Sequence, residues 1–431
     1  MANEMTSAMP GFYKLSVEER LSRISTAFDL TDEDLHSMED LDSQLSQQTS
    51  STMIENCIGR HVQPVGVATN FIIDGKEVII PFVTEEPSVI AAASLAAKLA
   101  RPTGGFITAG ENVCSGQITF ISPSSSTTHL EALKNLTQNI LEVANAAMPT
   151  MYQRTRGARS VDISSTNTDS GLILVVELHV WVGDSMGANV VTKACEEVSK
   201  FIHDKLGFEP LMSILTNMAD KRLVHAKACW PIKDLATKEY SGYDVANRII
   251  IATDFAKANP HRAATHRKGI MNGISAVVTA TGNDTRAVES AIHSYAYSEP
   301  SNLSLTSYHI DDNQNLVGDI LVPLPVGIIG GSINRNSAVK TWLKMMKVSS
   351  ADELARTIAA VGLAQNFAAL RALVTQGISA GHMKLHSRNI ACEAGAQGEE
   401  IEQVAEKLIT NGKISVAQAK DVLRQMRCAL T

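Results

Sequence analysis

Three short stretches of this chain combine residue types that could do carbonyl chemistry. Residues 262–273 read RAATHRKGIMNG, where two glycines and several polar groups interrupt an apolar pattern. A lone lysine is ordinarily a solvated surface charge. Lys268 instead sits among Thr265, His266 and Asn272, and an ammonium group in such company can polarise a carbonyl and stabilise an oxyanion. Residues 280–284, ATGND, follow a β-like run over 274–279. Gly-Asn-Asp is an ordinary turn, but it also offers a carboxylate, Asp284, on a loop after a buried strand, a favoured place for catalytic groups. An aspartate near Lys268 would keep it protonated and oriented. The third stretch is Glu85-Glu86-Pro87-Ser88, ahead of an alanine-rich segment. One acid suffices as a helix-dipole partner, worth about 0.3–1 kcal/mol. Two leave one for proton work.

Two further stretches are weaker taken alone. Residues 184–189, DSMGAN, fall between a strand and a helix, and their small residues admit close backbone approach to a ligand at a helix N-terminus. The spacing is not G-x-G-x-x-G, so no Rossmann fold is expected. Residues 381–386, GHMKLH, carry His382 and His386 four apart. On a helix they share a face, which raises a zinc pair. No glutamate follows the first histidine and no third ligand is apparent, so one histidine serving as a general acid fits as well as a metal does. The six cysteines show no C-x-x-C and read as incidental thiols.

The elements that must position these groups are legible in outline. Residues 12–45 are rich in charge and helix formers, with Ser16 and Glu19 spaced as a capping box, and 48–59 reads as a second helix. Residues 65–82 alternate and turn at Asp74-Gly75, a hairpin signal. Pro87 opens an alanine-rich helix over 88–99, suited to close packing at the centre of the fold. Residues 111–218 read as a separate unit. Its order is strand 115–122, helix 129–147, strands 160–165 and 171–182, helix 187–206 and strand 209–215, the ferredoxin-like βαββαβ pattern. Helices return over 243–258 and 350–379. Two short amphipathic helices, 399–409 and 416–427, follow Gly395 and Gly398, which read as hinges. The expected class is α+β: a large mixed domain from 1–110 and 219–376, an inserted ferredoxin-like small domain over 111–218, and a C-terminal helical flap over 377–431.

Bulk properties exclude other classes. The 431 residues carry 38 Lys plus Arg against 45 Asp plus Glu, a net charge of −7 with no basic run, which argues against nucleic acid as a partner. No apolar stretch is expected to reach the roughly 18 residues of a membrane span. The start has neither the basic residues nor the apolar core of a signal peptide. The expectation is a reduced, cytoplasmic protein without a membrane segment.

Together, residues 55–59, 85–88, 184–189, 262–273, 281–284, 362–366 and 381–383 make the chain similar, almost end to end, to the soluble class II hydroxymethylglutaryl-coenzyme A (HMG-CoA) reductases. The resemblance implies a four-electron reduction of HMG-CoA to mevalonate and free coenzyme A by two reduced nicotinamides. It assigns Lys268 to the thioester oxygen, Asp284 to a place beside Lys268, Glu86 to proton exchange, and His382 to the departing thiolate. Ser88, Arg262, Asn217 and Asn366 match positions that hold the hydroxymethylglutaryl part. Asp184, Met186, Gly187, Ala188 and Asn189 match the loop that approaches the nicotinamide; Ser185 stands where the family usually has alanine. No metal is implied, and the zinc reading of His382 and His386 falls behind.

NADH-preferring members can carry an aspartate just after residues 142–145. Here 146–149 reads AAMP, followed by Arg154, Arg156 and Arg159. Loss of that aspartate and a nearby arginine both favour a 2′-phosphate, so NADPH is expected over NADH. The resemblance further implies a homodimer, or a multiple of dimers, with the site at the subunit interface and a C-terminal lid. Two other readings stand beside it: mevalonate oxidation by the same enzyme, and a catalytically silent coenzyme A-binding protein.

Overall fold

Asp74 and Gly75 adopt left-handed backbone angles, φ 49° and 77°, and so close the expected hairpin. The computed structural model describes residues 6–122, 127–375 and 377–428. Its strands, in chain order, are β1 (Val65–Ile73), β2 (Lys76–Val83), β3 (Phe106–Gly110), β4 (Val113–Ile121), β5 (Ala158–Thr168), β6 (Gly171–Trp181), β7 (Glu209–Leu215), β8 (Leu223–Pro231), β9 (Thr306–Ile310) and β10 (Asn315–Pro323). They form two sheets, so the fold is mixed α and β as expected. The larger runs β2-β1-β3-β8-β10-β9 and the smaller β5-β6-β4-β7.

Three helices, Val89–Ala100, Pro260–Ala280 and Ala351–Val374, pack with the larger sheet. Trp230 on β8 stacks on Phe367 at 3.9 Å and donates its indole N–H to the Ala96 carbonyl at 3.0 Å, tying sheet and two helices together. Glycine sets how closely the two longest helices approach. A Cβ at Gly273 would stand 2.9 Å from Val361 Cγ1, and one at Gly362 would stand 2.9 Å from Ile274 Cδ1. The Ala351–Val374 helix is long and apolar enough to span a membrane, against the sequence expectation, and 78% of its most apolar window is buried inside the protein.

The β-like run over 274–279 is helix. Pro260 opens the element and the Asn259 side chain accepts the Arg262 N–H at 2.9 Å. Val277 and Val278 favour a strand by propensity, but each is fully buried on a helix with neighbours on several sides, and packing overrides propensity.

The smaller sheet is antiparallel throughout and is covered by helices Thr137–Ala147 and Ala188–Leu206 around their own core, including Ile118, Phe120, Ile140, Val176 and Val198. Its strand order is that of a ferredoxin-like fold. The single helix expected over 129–147 is two, Thr127–Asn135 and Thr137–Ala147, separated at Leu136. The helix expected over 48–59 ends at Met53, and Ile58 beyond it is fully exposed. After Val374, helices Ile378–Glu393, Glu400–Asn411 and Val416–Cys428 close a separate small core of Ala391, Val404, Leu408, Ala419, Val422 and Leu423. Gly395 and Gly398 turn the chain within this unit, not at its boundary.

Candidate active site

A cavity of about 860 Å³ opens beside the three core helices, and Glu86, Ser88, Arg262, Lys268 and Asn366 all line it. Five of the predicted residues, from three distant segments, thus share one space. The Lys268 ammonium lies 3.6 Å from the Glu86 carboxylate, with side chains 65% and 35% exposed. A pair so open to water adds at most about 1 kcal/mol of stability, so its arrangement needs another reason. Ser88 precedes the Val89–Ala100 helix in a left-handed conformation, φ 81°, and its hydroxyl caps nothing. Such strain in a residue other than glycine is typical of functional positions. Glu85, the other acid, is exposed. Burial lowers the Arg262 pKa, which still leaves a cation at neutral pH.

The cavity wall includes a buried polar chain that the sequence reading did not single out. Tyr308 donates its hydroxyl to Asn366 Oδ1 at 2.8 Å. Asn366 Nδ2 lies 3.0 Å from His266 Nε2, which is 2.8 Å from Thr306 Oγ1. His266 and Asn366 are each 1% exposed. Desolvation, aided by Arg262 and Arg267, drives the His266 pKa down to about 3, so the ring is neutral. Periodicity was the available signal: His266 stands four residues after Arg262, one turn along the same helix.

A second cavity, about 510 Å³, is lined by Met186, Gly187, Ala188 and Asn189 together with Asn283 and Asp284. Gly187, at φ 99°, begins the Ala188–Leu206 helix; a Cβ there would stand 2.6 Å from Val182 Cγ1. Asn283 fixes the opposite wall, donating to the Gly327 carbonyl at 3.0 Å and accepting its N–H at 2.8 Å. Arg222, which sequence reading also missed, is buried and clamps the loop by donating to the Met186 carbonyl at 2.6 Å and the Val326 carbonyl at 2.9 Å.

Three expectations need correction within one chain. Asp284 is not beside Lys268. The two are separated by the rest of one unbroken helix, about 18 Å of rise from Lys268 to Ala280. Asp284 instead caps the Thr285–Ser298 helix and pairs with Arg286 at 3.3 Å. Asp184 does not line the second cavity, because its carboxylate accepts the Ala351 N–H at 3.0 Å and caps the long core helix. Asn217 lies exposed after β7 and is not among the residues lining the first cavity. Of the three arginines, Arg156 lines a concavity with Glu142, Asn145, Ala146 and Tyr152, whereas Arg154 and Arg159 are exposed and do not line it. The His382 backbone belongs to the Ile378–Glu393 helix, and its side chain lies outside the described residues.

Known proteins match this arrangement along nearly the whole chain. The family model for hydroxymethylglutaryl-coenzyme A reductase matches residues 16–387. The 3-hydroxy-3-methylglutaryl-coenzyme A reductase of Archaeoglobus fulgidus is 45% identical over 427 residues, covering 98% of this chain and 95% of the relative. The reductase structure from Streptococcus pneumoniae superposes with a TM-score of 0.82 at 35% identity, covering 97% of this chain and all of that one. A class II reductase structure from the same organism, bound to NADPH in open conformations, gives 0.81 at 36% identity, covering 85% of this chain and all of that one. With two cavities holding the expected residue types and matches of this extent, the chain belongs to the hydroxymethylglutaryl-coenzyme A reductase family, in its class II branch.

Proposed function

We propose that this chain reduces HMG-CoA to mevalonate and free coenzyme A with two reduced nicotinamides, preferring NADPH to NADH. The observation that carries this reading is the Lys268–Glu86 pair sharing one cavity with Ser88, Arg262 and Asn366. Arg262 offers a guanidinium to the free carboxylate of the substrate. Ser88 and Asn366 hold its remaining oxygens. Lys268 stabilises the negative charge that grows on the thioester oxygen, and Glu86, 3.6 Å away, exchanges a proton with that oxygen. His382 protonates the departing thiolate; a thiol of pKa about 8.5 is readily reprotonated by an imidazolium of pKa about 6.5.

The second cavity suits a nicotinamide. It has the volume of a small-molecule site, a helix N-terminus, and a backbone left bare by Gly187. A reduced nicotinamide bound there supplies hydride. Met186, Gly187, Ala188 and Asn189 orient it, while Asp184 anchors their loop through the Ala351 N–H. Arg156, which shares its concavity with Glu142, receives the 2′-phosphate.

In this reading 111–218 carries the cofactor and 1–110 with 219–376 carries the substrate. The unit 377–431 closes over both and brings His382. The active form is a homodimer or a multiple of dimers. Asp284 of a partner then joins Lys268 and Glu86, and Asn217 reaches the substrate from the same side. Two exposed apolar surfaces support an interface: Ile54, Ile58 and Val62 on one arm, and Tyr243, Ile251 and Phe255 along one helix. The protein works in the cytoplasm.

The test is nicotinamide absorbance with HMG-CoA, run separately with NADPH and NADH. Two nicotinamides consumed per HMG-CoA is the expected result, and Arg156→Ala should raise the KM for NADPH alone. Turnover only from mevalonate would reverse the direction. Coenzyme A binding without any redox activity would leave a binding protein.

A further inference from the structure

The buried chain behind Asn366 holds the amide at both ends, and the histidine end decides which way it faces, since a tyrosine hydroxyl can pair with either side. An amide on a helix can present either its oxygen or its nitrogen to a ligand, and the two choices suit opposite partners. Here Oδ1 is taken by the Tyr308 hydroxyl at 2.8 Å. On the other side Nδ2 stands 3.0 Å from His266 Nε2. That contact is favourable only if Nε2 is the unprotonated nitrogen and the ring proton is on Nδ1, which is buried without a hydrogen-bond partner among the described residues, so the tautomer is held from the Nε2 side alone. Thr306 Oγ1, 2.8 Å from Nε2, holds the ring plane. Flipping the amide would force the tautomer to change as well. One N–H of Nδ2 is spent on His266, so the other is left for the cavity that Asn366 lines.

We infer that His266 is a positioning residue for the reduction. Together with Tyr308 it locks the Asn366 amide so that a hydrogen-bond donor faces the substrate, which selects for an acceptor oxygen on the hydroxymethylglutaryl group. This rests on the reading that Asn366 contacts that group. Neither His266 nor Tyr308 touches the reacting atoms in this scheme. Both act through the amide.

A double-mutant cycle tests it. His266→Leu, His266→Gln and Tyr308→Phe are each made alone and combined with Asn366→Ala, and KM is measured for HMG-CoA and for NADPH. His266→Leu and Tyr308→Phe should raise the KM for HMG-CoA by about tenfold and leave that for NADPH in place. His266→Gln should restore most of the loss, since its Oε1 can accept from Nδ2 where Nε2 did. In the Asn366→Ala background, His266→Leu should add less than about twofold. Equal losses in both backgrounds, or parallel rises in both KM values, would make His266 merely structural and overturn the inference. If His266→Leu does not fold, the Tyr308→Phe cycle decides by the same criterion. Wild-type protein that oxidises no nicotinamide with HMG-CoA would instead defeat the functional reading, and the inference with it.

Discussion

The open geometry of the Lys268–Glu86 pair separates catalysis from stability at the level of single residues. Its exposure limits any contribution to folding to about 1 kcal/mol, whereas a cation stabilising an oxyanion is worth about 10²–10³ in rate. Lys268→Ala should therefore lower kcat by about that factor while the thermal midpoint stays put. A matching drop in the midpoint would show a structural role instead. His266 behaves in the opposite way. Its pKa falls from about 6.5 unfolded to about 3 folded, so the unfolded chain binds the extra proton. Its contribution is complete above about 6.5 and declines as pH falls toward 3. The urea midpoint of the wild type should begin to fall below about pH 6.5, and His266→Gln should remove part of that upper decline, the rest belonging to His293, whose pKa burial also lowers.

Carboxylates that tie elements together govern the lower part. Burial pushes the Glu77 carboxyl on β2 up, but Arg101 and Ser7 outweigh it and hold it at about 2. Lys76, at 2.6 Å, holds Glu353 at about 2 and joins the hairpin to the long core helix. Both pKa values are depressed, so these contributions are present above about 4.3 and are lost as pH falls toward 2. The C-terminal helices make a second argument at this scale. Because Val404, Leu408, Ala419, Val422 and Leu423 complete the small core beneath the Ile378–Glu393 helix, removing residues 396–431 strips the support of the element that bears His382. Such a truncation should bind NADPH with unchanged affinity and lose thioester reduction. Retained turnover would remove the lid from the scheme.

For the whole molecule the decisive fact is that one chain separates Lys268 and Asp284, which the proposed reaction brings together. Lys268, inside the Pro260–Ala280 helix, and Asp284, at the start of the next one, line different cavities. The homodimer we propose, with a site shared between subunits, would resolve this, and subunit mixing tests it. Lys268→Ala and Asp284→Ala should each be nearly inactive. Unfolded together and refolded at equal ratio, they should recover about a quarter of wild-type activity, because half the dimers are mixed and each holds one intact site. No recovery, from protein shown by sedimentation to be dimeric, would place both residues in one subunit's site.

Local signals in the sequence determined much of this protein. The hairpin at Asp74-Gly75, the capping box at Ser16 and Glu19, and the βαββαβ order all depend on short-range chemistry that residue types express directly. The company of Glu86, Ser88, Arg262, Lys268 and Asn366 was legible through the family resemblance alone, since three distant segments supply it. What the sequence misread depends on environment. Residues 274–279 carry β-branched side chains, yet lie in a helix because burial on several sides outweighs propensity. Asp184 has the composition of a ligand loop, yet its carboxylate caps a helix 167 residues away in the chain. Asp284 and Lys268 are close in sequence and far in space because a straight helix converts each intervening residue into about 1.5 Å of separation. Only the tertiary structure could decide that, and only it could bring Tyr308, Asn366 and His266 into one buried chain.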